Sequence, residues 1–179
     1  MMTQSYESRL RDQNNNNSEM LDYLIRRFSK QVLKLAYYHV RDRHLAEDIC
    51  QEAFLRVFKN LERFRQDSSY YTWIYRITVN LCRDYKASAY FRKMIPSCRI
   101  NTNAVSETKL FEEVEGGEVF SKVMDLPVKY RVVIGLYYFE GYTTAEIAGI
   151  LKIKESTVRS RLSRGRDKLR KNFTVEGSL

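Results

Sequence analysis

Apolar side chains recur three and four positions apart from residue 21 to about 90, and again from 119 to about 173. That spacing lines one face of a 3.6-residue helix. Leu21, Leu24, Ile25, Phe28, Val32, Leu35 and Ala36 form the first such stripe. The 179 residues include only two prolines and seven glycines, too few for a chain of many short strands and turns. The expected fold class is therefore all-α, and a chain with 44% hydrophobic residues can bury a core. "RDRH" at 41–44 interrupts the first stripe, and a second helix is predicted over about 45–61. A loop over 63–71 offers Asp67, Ser68 and Ser69 as helix caps, and a third helix runs from about 71 to 93.

The composition then shifts. Residues 95–118 carry Pro96, Gly116 and Gly117, and set Glu107, Glu112, Glu113, Glu115 and Glu118 against Arg99 and Lys109. This reads as a flexible acidic linker, with some helix over 110–114. The organisation expected is a disordered polar tail (1–18), an N-terminal helical bundle (19–94), the linker (95–118), a C-terminal helical domain (119–173) and a short tail (174–179). There is no internal repeat. The Asn-rich start lacks the apolar stretch of a signal peptide, and no window approaches the ~20 apolar residues of a membrane span. Cys50, Cys82 and Cys98 are widely spaced, and His39 and His44 lie near none of them. Neither a disulfide framework nor a zinc site fits that pattern. Free buried thiols in a soluble cytoplasmic protein, without metal or cofactor, are expected.

A formal charge of +9 suits a polyanionic partner, nucleic acid before anionic membrane. "TVRSRLSRGRDKLRK" at 157–171 concentrates it, with seven cations in fifteen positions and Asp167 as the one acid. Upstream, Thr143 and Glu146 have capping-box spacing, Ile147, Ala148 and Leu151 make a short buried face, and "KIKES" is a turn that Ile153 pins to the core. A short helix, a tight turn and a longer basic helix form a helix-turn-helix, the layout that sets its second helix in a major groove. On the wheel of that helix Val158, Leu162, Gly165 and Leu169 face the core. Arg159, Ser160, Ser163 and Asp167 face away, with Arg164 on their flank and Arg161, Arg166 and Lys168 on the shoulders. Arginine among small hydroxyl residues suits base-edge reading, and shoulder cations suit phosphates. Lys154 or Glu155 stands where a Ser or Asp cap would be expected, and Gly165 inside the helix costs ~1 kcal/mol relative to Ala unless something packs closely on it. Pro127 fits the first turn of a supporting helix whose Val132, Val133, Leu136 and Tyr137 are expected in the core.

In the N-terminal unit, "AEDICQEAFLRVFKNLERF" places Ile49, Ala53, Phe54, Val57, Phe58 and Leu61 on a broad inner face. Asp48, Gln51, Glu52, Leu55 and Lys59 share the outer one, an acidic and amide strip with an exposed leucine that suits a basic partner helix. Downstream, Trp73, Ile77 and Leu81 point inward, while Arg76, Asn80, Arg83 and Tyr90 project from another side. Arg76, Arg83, Lys86, Arg92, Lys93 and Arg99 stand against Asp84 and are interleaved with Tyr70, Tyr71, Tyr75, Tyr85, Tyr90 and Phe91. Cations beside aromatics suit a nucleic acid whose bases are opened.

"AEDICQEAF", "FKNLERFR", "YYTWIYRITVNLCRDY" and "TTAEIAGILKIKESTVRSRLSRGRDKLRK", in that order, resemble a bacterial RNA polymerase sigma factor of the sigma-70 family, more narrowly its small two-domain extracytoplasmic-function group. The resemblance spans residues 21 to 171. It implies a non-catalytic specificity subunit that binds core polymerase and directs initiation at particular promoters. Asp48, Gln51, Glu52 and Leu55 would dock on the clamp helices of the largest polymerase subunit, with a second contact at the flap region. The loop 65–71, including Ser69 and Tyr70, and Asn80 would capture a flipped base of the −10 element, and Arg76, Arg83 and Lys86 would hold the melted strand. Thr157, Arg159, Ser160, Arg161, Ser163, Arg164 and Lys168 would contact the −35 duplex. The linker would thread towards the polymerase active-site and RNA-exit region. An anti-sigma factor covering both domains, membrane-bound in some cases, is the implied regulator, and no stable homo-oligomer is expected. Ser163 stands where larger residues occur in some relatives, so base preference does not transfer. A response-regulator layout would need alternating strands and helices, which residues 21–93 do not offer. A nuclease built on Glu47, Asp48 and Glu52 would need a histidine or a second carboxylate cluster nearby.

Overall fold

The computed structural model describes the backbone of residues 2–65, 67–94 and 117–176, and side chains within 17–65, 67–88 and 117–171. It is all-α, with no strand among the described residues. Among the described residues seven α-helices follow in order: α1 (Met2–Val40), α2 (Arg43–Asn60), α3 (Tyr70–Met94), α4 (Gly117–Asp125), α5 (Val128–Ile134), α6 (Thr144–Leu151) and α7 (Glu155–Glu176). A 3₁₀ turn (Leu61–Arg63) follows α2, and a π-helical turn (Gly135–Phe139) follows α5. Residues 95–116 of the expected linker, with its helix over 110–114 and Cys98, lie outside the described residues, and its last two, Gly117 and Glu118, open α4.

α1 begins at Met2, through the segment expected as a disordered tail. No glycine or proline occurs before Pro96, so nothing in residues 2–40 breaks a helix once Leu, Arg, Glu and Gln favour it. α1 ends at Arg41, which takes a left-handed φ of 59°. Asp42 then caps α2, its carboxylate accepting from the Leu45 N–H at 2.9 Å, a bond worth ~1 kcal/mol. Ser69 does the same for α3: its Oγ lies 3.4 Å from the Thr72 N–H and 3.0 Å from the Thr72 hydroxyl. α1, α2 and α3 pack together around Leu24, Val32, Leu35, Ile49, Ala53, Val57, Ile74 and Leu81, all buried. Phe58 is the exception on the predicted inner face, at 40% exposure. It sits at the edge of the broad apolar face, beyond the arc that α1 and α3 cover.

In the C-terminal half, α5 and α6 pack on α7 around Tyr130, Val133, Ile134, Ile147, Ile150, Val158 and Leu162. Tyr137 was expected here, but the π turn rotates it outward to 39% exposure beside Tyr138. The two halves share one core. α5 packs on α1 and α6 packs on α3, with Tyr38 fully buried between Phe120 and Phe139. At Gly135 an added Cβ would come within 2.8 Å of the Tyr38 ring, so only glycine lets the C-terminal half approach this closely. Arg131 completes the joint. It is 5% exposed and donates from Nε to the Tyr38 carbonyl at 2.7 Å, from Nη1 to the Met124 carbonyl at 2.6 Å, and from Nη2 to the His39 carbonyl at 3.3 Å. Those carbonyls end α1 and α4, where a helix leaves acceptors unfilled.

Candidate nucleic-acid interface

The helix-turn-helix is built as its spacing implies. Thr143 caps α6: its hydroxyl accepts from the Glu146 N–H, and the Glu146 carboxylate accepts from the Thr143 N–H at 2.9 Å. The bond from the Thr143 N–H, and a second from the Thr143 hydroxyl at 2.8 Å, hold the Glu146 carboxyl below its ordinary range. Lys152 ends α6 in the left-handed region, φ 53°, and its N–H and that of Ile153 both return to the Ala148 carbonyl. The turn is thereby fixed and α7 starts at Glu155. Val158, Leu162 and Gly165 are buried and Leu169 is half-buried, whereas Arg159, Ser160, Ser163, Arg164, Arg166 and Lys168 are exposed, and Thr157 and Arg161 half-exposed. The strip expected to face a groove is open to solvent along its length. A Cβ on Gly165 would stand 2.6 Å from Ile134 Cδ1, so the glycine admits α5 against α7.

α3 differs from its expected reading surface. Arg76 donates from Nε to the Gly149 carbonyl at 2.9 Å, and Arg83 from Nη2 to the Leu151 carbonyl at 3.3 Å. Both arginines thus occupy the unfilled carbonyl end of α6. Two further bonds close the same seam: Tyr71 donates to Glu146 at 3.1 Å, and the Tyr75 and Tyr142 hydroxyls lie 2.8 Å apart. Tyr75 is fully buried, and that burial raises its pKa. Of Arg76, Asn80 and Arg83, the described side chains expected to project together, Asn80 faces a different space. It is exposed and lines a pocket of about 270 Å³ with Arg56, Asn60, Arg63, Trp73 and Ile77. Phe64 closes over Trp73 and Tyr70, with ring centroids at 4.8 and 4.5 Å. Ser69 and Tyr70 begin α3 beside that aromatic cluster and Lys86 is exposed further along. The side chains of Tyr90 and Phe91 lie outside the described residues.

The pocket has the chemistry of a base site. Trp73 offers an apolar, stacking wall, Asn80 and Asn60 offer amide donors and acceptors, and Arg63 offers charge for a phosphate, while Arg56 is already paired with Glu52 and Asp84. Of these only Asn80 was expected at a DNA site: Trp73 was read as an inward-pointing residue of α3, and Arg56, Asn60 and Arg63 come from the end of α2 and its 3₁₀ turn and converge with them only on folding. On the outer face of α2, Asp48, Gln51 and Leu55 are exposed, Leu55 at 54%, while Glu52 is half-buried and accepts from Arg56 at 2.9 Å. Glu47 binds Arg43 at 2.9 Å. No group of acids, histidines and cysteines among the described residues could hold a metal ion, and no helix there is long and apolar enough to cross a membrane. Burial pushes the Cys50 thiol up to about 11 and the Cys82 thiol to about 12. Both are free, and burial disfavours the thiolate form of each.

Comparison with known proteins places family models on both halves: Sigma-70 region 2 matches residues 24–91 and Sigma-70, region 4 matches residues 121–169. The ECF RNA polymerase sigma factor SigW of Bacillus subtilis is 31% identical over 163 residues, covering 82% of this chain and 84% of that protein. The ECF RNA polymerase sigma-E factor of Escherichia coli is 32% identical over 158 residues, covering 80% and 81%. Among solved structures, CnrH in complex with the cytosolic domain of CnrY shares the fold at a TM-score of 0.64 and 20% identity, over 93% of this chain and 94% of that one. The sigma factor RpoE in complex with the anti-sigma factor NepR from Bartonella quintana also gives 0.64, at 16% identity over 86% and 96%.

Proposed function

The chain belongs to the extracytoplasmic-function RNA polymerase sigma factors, and from that membership we propose how its surfaces divide the work of directing promoter-specific initiation. α7 reads the −35 duplex with Arg159, Ser160, Ser163 and Arg164, while Thr157, Arg161 and Lys168 hold phosphates. The Asn80 pocket receives an unstacked base of the −10 element, bounded by Ser69 and Tyr70 at the start of α3. Arg76, Arg83 and Lys86 hold the melted strand. Asp48, Gln51, Glu52 and Leu55 dock on the clamp helices of core polymerase, and the C-terminal domain meets the flap. The chain carries no catalysis of its own, works in the cytoplasm, and answers to an anti-sigma factor, as the neighbouring RpoE does with NepR.

The observation that carries the duplex-reading assignment is the open Arg/Ser strip of α7 on a capped helix-turn-helix. The half-buried Arg76 and one Nη2 N–H of the exposed Arg83 are bonded to α6 carbonyls, and they are freed in full for a phosphate when the C-terminal half moves off α3.

Run-off transcription with core polymerase, mapped over a genomic library, tests the function. Wild type should direct discrete start sites. On those promoters Arg164→Ala should weaken −35 selectivity by roughly tenfold or more, the scale of one lost bidentate contact, and leave a pre-melted template almost unaffected. Asn80→Ala should impair opening. Equal effects of the two variants on pre-melted template would refute the division of labour.

A further inference from the structure

Glu155 opens α7, and its Oε1 accepts two hydrogen bonds. One comes from the hydroxyl of Thr144, the first residue of α6, at 2.5 Å; the other comes from Nη2 of Arg159, one turn along α7, at 2.7 Å. Three residues thus link both helices of the motif and end on the reading strip, where the Arg159 side chain is 69% exposed. We infer that Glu155 is a positioning residue for promoter readout: anchored by Thr144, it holds Arg159 in one orientation on the groove-facing strip, and its charge weakens binding to DNA of any sequence. This rests on the −35 reading of α7.

An arginine side chain is rich in rotamers, and an exposed one sweeps a wide arc. An isolated ion pair four residues apart on a helix is too weak to fix it. Here the carboxylate is itself tied to a second helix, so Arg159 is tethered to a fixed point. The two bonds, Thr144 first and Arg159 second, also hold the Glu155 carboxyl below its ordinary range, so it stays charged. One of the five guanidinium N–H donors is used, which leaves an edge for guanine O6 and N7. The same negative charge faces the phosphates and opposes the sequence-independent attraction that cations supply.

Selection by full-length chain in complex with core polymerase, from duplexes randomised over the −35 element, separates the outcomes. Glu155→Met keeps side-chain length and helix propensity but removes the acceptor. It should broaden preference at one base pair by roughly three- to tenfold, raise binding to scrambled duplex, and leave the other positions as in wild type. In an Arg159→Ala background the same substitution should broaden nothing further. An unchanged preference in Glu155→Met, uniform loss across the element, or broadening that persists without Arg159 would each overturn the inference, the last by making Glu155 a base reader itself. A wild-type protein that selects no −35 sequence would instead fail the −35 reading, and that result looks different from any of these.

Discussion

His39 sits in the last turn of α1, half-buried as a residue, with its Nε2 shut from solvent and unpartnered among the described residues. Burial first, then the charges of Lys86 and Arg83 on α3 and Arg131 on α5, lower its pKa to about 3. Below the ordinary value of 6.5 the unfolded chain takes up a proton that the folded chain refuses. The stabilisation is therefore fully present above that value and is lost as pH falls towards the folded one. From this group alone, unfolding free energy should drop by about 2 kcal/mol between pH 7.5 and 5, read by denaturant titration. His39→Gln should show a correspondingly shallower drop, and an equal slope in both would refute the assignment. In the sequence His39 was only a histidine too far from any cysteine to bind zinc. The three cations that define it come from α3 and α5, and no local spacing announces them.

At the scale of an element, more was legible. The Thr143–Glu146 capping box, the buried and exposed sides of α7 and the start of α3 near Ser69 follow from residues within one turn of each other, where spacing fixes geometry. Phe58 and Tyr137 were misplaced because a wheel gives a direction and not what stands in it. α2 is apolar over a wider arc than its neighbours cover, and the π turn at 135–139 shifts the register of the side chains it carries. Gly165 falls between these cases. Its cost was visible, and its reason lies in Ile134 on another helix. Gly165→Ala gains ~1 kcal/mol of helix propensity, but its Cβ meets Ile134 Cδ1 at 2.6 Å in a core where overpacking costs ~1–3 kcal/mol. The net effect should be a loss of about 1 kcal/mol in thermal or urea unfolding. Ile134→Val removes that methyl. Alone it should destabilise, as Ile→Val does in cores; in the Gly165→Ala background it should be neutral or stabilising. Simple additivity of the two changes would show that the close contact is not the cause.

For the whole molecule, the sequence suggested two helical units, and their mutual packing was the part it concealed. The joint runs on side chains bonding backbone carbonyls at helix ends (Arg131 to α1 and α4, Arg76 and Arg83 to α6), and a carbonyl has no identity in a sequence. It also runs on tyrosines, of which Tyr71 and Tyr75 were expected among the aromatics beside an opened nucleic acid. With the strand-holding role proposed for Arg76 and Arg83, its consequence is a competition: those arginines serve the carbonyl end of α6 or a DNA strand. Tyr142 reports on it without belonging to either the strand-binding or the duplex-reading set. Its hydroxyl lies 2.8 Å from that of the fully buried Tyr75, and its ring stacks on Tyr71 at 5.8 Å. Tyr142→Phe keeps the ring and strips Tyr75 of its partner. An unsatisfied buried hydroxyl costs ~1–3 kcal/mol in the closed arrangement alone, because opening restores it to water. The closed–open equilibrium should shift by that amount, and the free chain should bind melted −10 strand from its mapped promoter roughly fivefold or more tightly, with −35 duplex affinity unchanged. If strand affinity stays the same or falls, the seam between α3 and α6 does not compete with promoter DNA, and Arg76 and Arg83 are structural residues of the joint.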